Sequence, residues 1–287
     1  MSACAVAPGC VWSVEGYAVL NQPLLERLEA LDGLFRRWAR ELGAEEYAFP
    51  PAIAVATLQR VDYLASFPQL ATFPASVEGT PAELRRFAER ASREGAAAVE
   101  LGRMEPITEV LTPAACYHVY ELLQGSRLEG PVRVTTRATC FRREERYEPL
   151  RRQRAFQMRE LVCVGTDAEV EDFLATLRGR LEALFAGGGL GVAFEQATDP
   201  FFAPERSAGY VMQKLLPLKT EMVLDGLAIG SLNRHGERFG RAFGIRRGGS
   251  WARSACVAFG LERWLQAVVS RHGIFGWPSW LLEGADD

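Results

Sequence analysis

Lysine is almost missing from this sequence. Only Lys214 and Lys219 occur, and the other 31 of its 33 cationic side chains are arginines, so a single arginine carries no signal until its neighbours supply one. A cationic excess is missing too, because 36 Asp and Glu residues leave a formal net charge of −3. This excludes a global positive field that draws in nucleic acid, while local basic patches stay open. No run of 18 apolar residues exists, and the apolar stretch Ala3 to Trp12 has no Lys or Arg before it and contains Pro8 and Gly9. Neither a membrane span nor a signal peptide is expected, and the expected setting is the cytoplasm. In that reducing setting Cys4, Cys10, Cys116, Cys140, Cys163 and Cys256 are core fillers, metal ligands or reactive thiols rather than disulfides. No Cys-x-x-Cys pair is present, so any metal site has to be assembled by the fold.

What is present is enough for a folded protein: 287 residues, 48% hydrophobic and 24% charged, can bury a large core. No fixed-period repeat, low-complexity segment or linker interrupts the chain, which predicts one domain over residues 1–287. From Pro23 to Leu42 the apolar residues Leu24, Leu28, Leu31, Leu34, Phe35, Trp38 and Leu42 recur at helical spacing. A short strand at Tyr47 to Phe49 follows, then the breaker Pro50-Pro51, a helix over Val55 to Ala65 and another over Pro81 to Ala98. The second half reads as short β-rich runs at Pro131 to Phe141, Ala155 to Val164, Met222 to Ile229 and Ser254 to Gly260. Helices are expected at Ala168 to Phe185 and Leu261 to Arg271. Strands and helices without regular βαβ alternation predict an α+β fold around a mostly antiparallel sheet flanked by helices.

Two segments carry chemistry. If Val132 to Glu144 is extended, period two puts Thr136, Cys140, Arg142 and Glu144 on one face, and the returning strand puts Phe156, Met158 and Glu160 together. Such a hairpin offers a guanidinium to phosphate and a ring to a planar base; a charged hairpin with a solvated loop is the alternative. In the second segment an apolar strand, Ala255 to Phe259, runs through Gly260 into a helix opening with Glu262-Arg263. An arginine at the positive end of a helix calls for an anionic partner, either a phosphate or an acid such as Glu262.

These segments resemble motifs 2 and 3 of the class II aminoacyl-tRNA synthetases: Arg142, Glu144, Arg152 and Phe156 match the first, and Gly260, Glu262 and Arg263 the second. The helix from Pro23 and the stretch to Pro51 resemble motif 1, so that motif 1 falls at about 23–51, motif 2 at about 132–164 and motif 3 at about 254–271. Within that class the chain is similar to the amino acid:carrier protein ligases and the atypical archaeal seryl-tRNA synthetases. Asp62-Tyr63-Leu64, Pro113 to Tyr117, Arg159-Glu160, Lys219 with Glu221, and Ser231 through Gly240 carry the likeness.

The resemblance implies a class II synthetase-like catalytic domain. Its activity would be ATP-dependent activation of an amino acid to an aminoacyl adenylate, then transfer to the phosphopantetheine thiol of a small holo-carrier protein. Arg142 and Arg263 are the implied catalytic residues. Arg142, Glu144, Phe156 and Arg263 would bind ATP with Mg²⁺, and Glu221, Asn233 and His235 the amino acid. A catalytic zinc would be held by Cys116, Glu160 and Cys256. Two thiolates and a carboxylate suit zinc and leave a fourth position open, and separations of 44 and 96 residues exclude a local zinc knuckle. Arg234 departs from the family's Asn-Tyr-His stretch, which bears on the amino acid side chain that fits. Motif 1 implies a homodimer. Because it begins near residue 20, no tRNA-binding domain and no tRNA partner are expected. The rival readings are a catalytically silent paralogue that senses a ligand, and an enzyme that passes the adenylate to tRNA or a small amine.

Overall fold

In the computed structural model, which describes residues 4–278 apart from 8, 14, 93–97, 100 and 101, the apolar period after residue 22 becomes helix α1 (Gln22–Glu41). Asn21 caps it by accepting from the Leu24 amide, and Pro23 sits in the first turn, where a missing amide costs nothing. The strand expected at Tyr47 to Phe49 lies two residues earlier, as β1 (Glu45–Glu46). The Tyr47 amide still reaches the Thr135 carbonyl, and Pro50 and Pro51, which have no amide to donate, stop the pairing there. The helix expected over 55–65 is split into α2 (Val55–Gln59) and α3 (Tyr63–Ser66), because Asp62 adopts a left-handed conformation at φ 53°. Helix α4 (Pro81–Ala91) ends before the predicted Ala98, and residues 93–97 lie outside the described residues.

After α5 (Tyr117–Leu122) come β2 (Val132–Phe141) and β3 (Ala155–Gly165), the expected hairpin. They are followed by α6 (Asp167–Gly187), β4 (Ala193–Gln196), α7 (Ala208–Leu215), β5 (Lys219–Leu224), β6 (Leu227–Gly236), α8 (Arg238–Phe243), β7 (Arg253–Gly260) and α9 (Leu261–His272). The single run expected over Met222 to Ile229 is in fact the hairpin β5–β6. Asp225 and Gly226 both take positive φ, 49° and 73°, the geometry of a two-residue turn whose twist matches the strands. The seven strands form one sheet in the order β4-β5-β6-β7-β3-β2-β1, antiparallel throughout except for the β1–β2 pair. A separate three-stranded sheet precedes α1 (Cys4–Ala7, Cys10–Trp12, Ala18–Leu20). Among the described residues no helix is long and apolar enough to cross a membrane.

One face of the sheet is closed by α1, α6 and α9. Phe35 of α1 stacks on Phe259 of β7 at 3.8 Å between centroids, with the Trp264 ring edge-on to Phe35 at 5.0 Å. On the opposite face α5 and α8 meet through stacked Tyr120 and Phe239, 4.0 Å apart. They cover only part of it, and the uncovered part is the floor of a cavity.

Alternation along β3 sends Glu160 to the cavity and its neighbour Arg159 toward α1. The buried Arg159 guanidinium meets both carboxylate oxygens of buried Asp32 at 2.7 Å, and Glu46 of β1 at 2.8 Å. Removing one partner of such a pair leaves an uncompensated buried charge. Asp32→Ala is therefore expected to cost about 3–5 kcal/mol of unfolding free energy in urea titrations. The Asp32→Ala/Arg159→Met double variant should recover much of it, and a loss below about 1 kcal/mol in Asp32→Ala would contradict the role given to the pair.

Candidate active site

The floor of the cavity is a grid set by strand register. Thr136, Glu160, Ala258, Ser231 and Glu221 lie opposite one another across five adjacent strands, and in a parallel row Val162, Cys256, Asn233 and Lys219 do the same. Side chains two residues apart on a strand share a face, so both rows look into the same space, a cavity of about 800 Å³. Every site residue expected from the sequence lines it: Arg142, Glu144, Phe156 and Arg263 at one end, Cys116, Glu160 and Cys256 at the other, with Glu221, Asn233 and His235 along the β5–β6 side. Next to Ser231, Gly230 has no room for a side chain, since a Cβ there would collide with Met222 and the Ala258 carbonyl.

At the first end, the Arg142 guanidinium lies 5.2 Å from the Phe156 ring centroid and donates to the Pro113 carbonyl at 3.0 Å. Arg263, in the first turn of α9, donates to the carbonyls of Arg151 at 2.7 Å and Ala228 at 3.0 Å. The alternative Glu262–Arg263 ion pair does not form: both Glu262 oxygens accept from the Gln157 amide at 2.9 Å. Glu144 is held at 2.7 Å by Arg152. Burial, then the charges of Arg142 and Arg152, bring the Arg263 pKa down to about 10. The cluster is short of negative charge, and an anion entering here gains what the arginines lack.

At the second end, one oxygen of buried Glu160 accepts from the amides of Ala115 at 2.8 Å and Cys116 at 3.2 Å. Its other oxygen is buried with no partner. The Cys116 and Cys256 sulfurs and a Glu160 oxygen lie within 4.8 Å of one another. Contact with the Cys256 thiol, then burial, pushes the Cys116 thiol well above its ordinary range. A cation among two thiols and an unsatisfied carboxylate oxygen reverses that penalty, so the donor set fits a divalent metal that accepts sulfur.

Asn233 and His235 bear on this cluster directly. The Asn233 amide donates to Cys256 Sγ at 3.4 Å, and His235 Nε2 lies 3.8 Å from the same sulfur. His235 Nδ1 meets the Tyr120 hydroxyl at 3.0 Å and the Ser254 hydroxyl at 3.2 Å. Burial, reinforced by Arg238, lowers the ring's pKa to about 3, so it is neutral. Arg234, between them in sequence, points to the other face of β6 and pairs with Glu171 of α6 at 2.8 and 2.9 Å. The guanidinium is thus engaged by α6, although the residue still borders the cavity. Asp199, Gln213 and Tyr120 were not expected from the sequence. The tertiary structure brings Asp199 from a loop and Gln213 from α7 to the cavity, and sets the buried Tyr120 of α5 behind it against His235.

Residues 107–272 match the tRNA synthetase class II core domain (G, H, P, S and T). The chain is similar to the amino acid–(acyl-carrier-protein) ligases 1 and 2 of Bradyrhizobium diazoefficiens. It is 35% identical to the first over 91% of this chain and 81% of that protein, and 33% identical to the second over 92% and 80%. It is also similar to a type-2 serine–tRNA ligase of Methanopyrus kandleri, at 26% identity over 95% of this chain and 57% of that protein. Among solved structures, M. kandleri SerRS in complex with A. aeolicus tRNASec superposes with a TM-score of 0.81 at 23% identity, covering 96% of this chain and 57% of that one. Prolyl-tRNA synthetase from Cryptosporidium parvum superposes at 0.65 with 11% identity, covering 91% and 49%. An antiparallel sheet with an arginine–aromatic hairpin and a Gly-x-Glu-Arg helix start defines a class II synthetase core. Within that class the chain belongs to the amino acid–(acyl-carrier-protein) ligase family.

Glu262 also gives the site a pH signature. Burial, only partly offset by the Gln157 amide, raises its carboxyl to about 7 from an ordinary 4.5. Between those values the folded chain holds a proton that the unfolded chain has released, so this stability is present below pH 4.5 and is lost as pH rises through 7. Urea unfolding at about pH 5 and about pH 8 is expected to show Glu262→Gln losing less stability over the interval than the parent, by roughly 1–3 kcal/mol. An identical pH slope in the two proteins would contradict it.

Proposed function

We propose that the chain activates an amino acid with ATP and passes the aminoacyl group to the phosphopantetheine thiol of a small holo-carrier protein. The observation that carries this reading is one cavity lined at one end by Arg142, Phe156 and Arg263 and at the other by Cys116, Glu160 and Cys256, in a chain 33–35% identical to ligases named for a carrier protein. In this reading ATP lies against β2 and β3 with its adenine on Phe156 and Glu144 beside it. Arg142 faces the α-phosphate and Arg263 the outer phosphates. Both guanidiniums are already fixed by carbonyl contacts, so they are preorganised for the charge that builds as pyrophosphate leaves. Mg²⁺ accompanies the nucleotide.

The amino acid carboxylate attacks the α-phosphorus, the bond to the bridging oxygen breaks, and pyrophosphate departs. A carrier thiolate then attacks the acyl carbon, AMP leaves, and a thioester forms. Cys116, Glu160 and Cys256 would hold zinc, and when bound it supplies an open coordination position for the substrate amino group. Asn233 and His235 steady Cys256, and Glu221 faces the amino acid. The family resemblance also supports a homodimer through residues 23–51. A carrier is favoured over tRNA as acceptor because the carrier-protein ligases are more similar to this chain than the serine–tRNA ligase is, 35% and 33% against 26%.

Cys116→Ser and Cys256→Ser are each expected to lose zinc, measured by elemental analysis of the purified proteins, together with amino acid-dependent ATP–pyrophosphate exchange. Full zinc occupancy in both would overturn the ligand set. For the acceptor, labelled amino acid with holo-carrier, apo-carrier and tRNA in parallel is expected to label the holo-carrier alone, read by mass spectrometry. Aminoacylated tRNA without a loaded carrier would replace this reading with the tRNA one.

A further inference from the structure

In a chain that uses arginine almost everywhere, one of its two lysines lies inside the cavity. The Lys219 side chain, 15% exposed, places its ammonium 2.7 Å from Asp199 Oδ1 and 3.2 Å from Glu221 Oε1. Asp199 is clamped by Gln213 of α7, which donates to Oδ2 and accepts from the Asp199 amide, both at 2.7 Å. Two carboxylates thus share one ammonium, and the group carries a net negative charge.

Its place in the grid gives this group a role. Lys219 is opposite Asn233, which is opposite Cys256; Glu221 is opposite Ser231, then Ala258, then Glu160. Between the two carboxylates and the Cys–Glu–Cys cluster the floor holds only the short side chains Ser231, Asn233 and Ala258. Asp199 is close enough to influence both Arg142 and His235, one at each end of the cavity. The three residues therefore wall the space that remains for an amino acid side chain once its carboxylate lies toward Arg142 and its amino group toward the cluster.

We propose that Lys219 is a specificity-determining residue whose ammonium occupies the Asp199–Glu221 carboxylate pair and so bars amino acids with cationic side chains, which that pair would otherwise bind. This rests on the amino acid-activating function proposed above. A cationic substrate would have to share the two carboxylates with a fixed like charge, which is rejection by repulsion rather than by size. With the ammonium gone, two carboxylates face the substrate with no counter-charge.

The test is ATP–pyrophosphate exchange by the full chain with glycine, alanine and serine, and with 2,4-diaminobutyrate, ornithine and lysine. It is paired with thermal shifts by the same amino acids, which need no turnover. The parent should use a neutral amino acid and refuse the basic ones. Lys219→Ala should raise the ratio of basic to neutral kcat/KM by about tenfold or more, the scale of one pocket contact, and should be stabilised by at least one basic amino acid. Adding Asp199→Asn to that variant should abolish the gain. If Lys219→Ala does not fold, Lys219→Gln keeps hydrogen bonds to both carboxylates without the charge and should show a smaller gain in the same direction. A folded variant with neither exchange nor a thermal shift for any basic amino acid, while the parent exchanges a neutral one, overturns the role of Lys219 alone. A parent that exchanges no amino acid overturns the proposed function, and with it this inference.

Discussion

Everything in this molecule depends on the alternation of β3. Arg159 and Glu160 are neighbours in sequence and face opposite sides of the sheet. Arg159 binds Asp32 and so fastens α1 to the back of the sheet, and it also ties in Glu46 of the edge strand β1, while Glu160 places one oxygen on two amides and offers the other to the cavity. A shift of one residue in β3 would exchange the two, putting a guanidinium among the thiols and a carboxylate against Asp32. Register is thus held from behind by an ion pair, and the chemistry in front inherits its precision.

The same cavity holds two opposite electrostatic debts, and folding leaves both unsettled. Arg263, buried near Arg142 and Arg152, donates to two carbonyl oxygens and, among the described residues, forms no ion pair. Glu160 has a buried oxygen with no partner. Each end is costly by itself, because a desolvated charge or polar atom without a partner destabilises the fold. An anion at one end and a cation at the other satisfy both. This is why a polyphosphate substrate together with a metal fits the arrangement better than either does alone.

Much of the fold and site was legible in the sequence. The hairpin faces followed from period two, so Arg142, Phe156 and Glu160 were grouped correctly, and α1 and α9 followed from helical spacing. The β5–β6 turn is masked in the sequence although Asp225-Gly226 is a strong hairpin pair, because apolar residues on both sides of it let the run read as one strand. The split between α2 and α3 hinges on a left-handed Asp62, which no periodicity reveals. Asp199 illustrates a deeper limit. It sits in a loop between β4 and α7, and it matters only because Lys219 and Gln213, 20 and 14 residues away, converge on it.

The two thiols are also unequal, and the inequality comes from Asn233 and His235, which the sequence pairs with the amino acid and the structure sets beside Cys256. Cys116 sits at the entrance to α5, with its amide spent on Glu160. Cys256 lies in the middle of β7 and meets Asn233 and His235 from the next strand. A neutral imidazole has a single N–H, and Nδ1 is next to two hydroxyls able to donate to it, from Tyr120 and Ser254. The proton is then best used at Nε2, facing sulfur, where a donor favours the thiolate over the thiol. The Cys256 sulfur is therefore supported by two strands and a helix, since Tyr120 belongs to α5. Such support lies one layer behind the donor atoms, and it becomes visible only when register sets β6 beside β7.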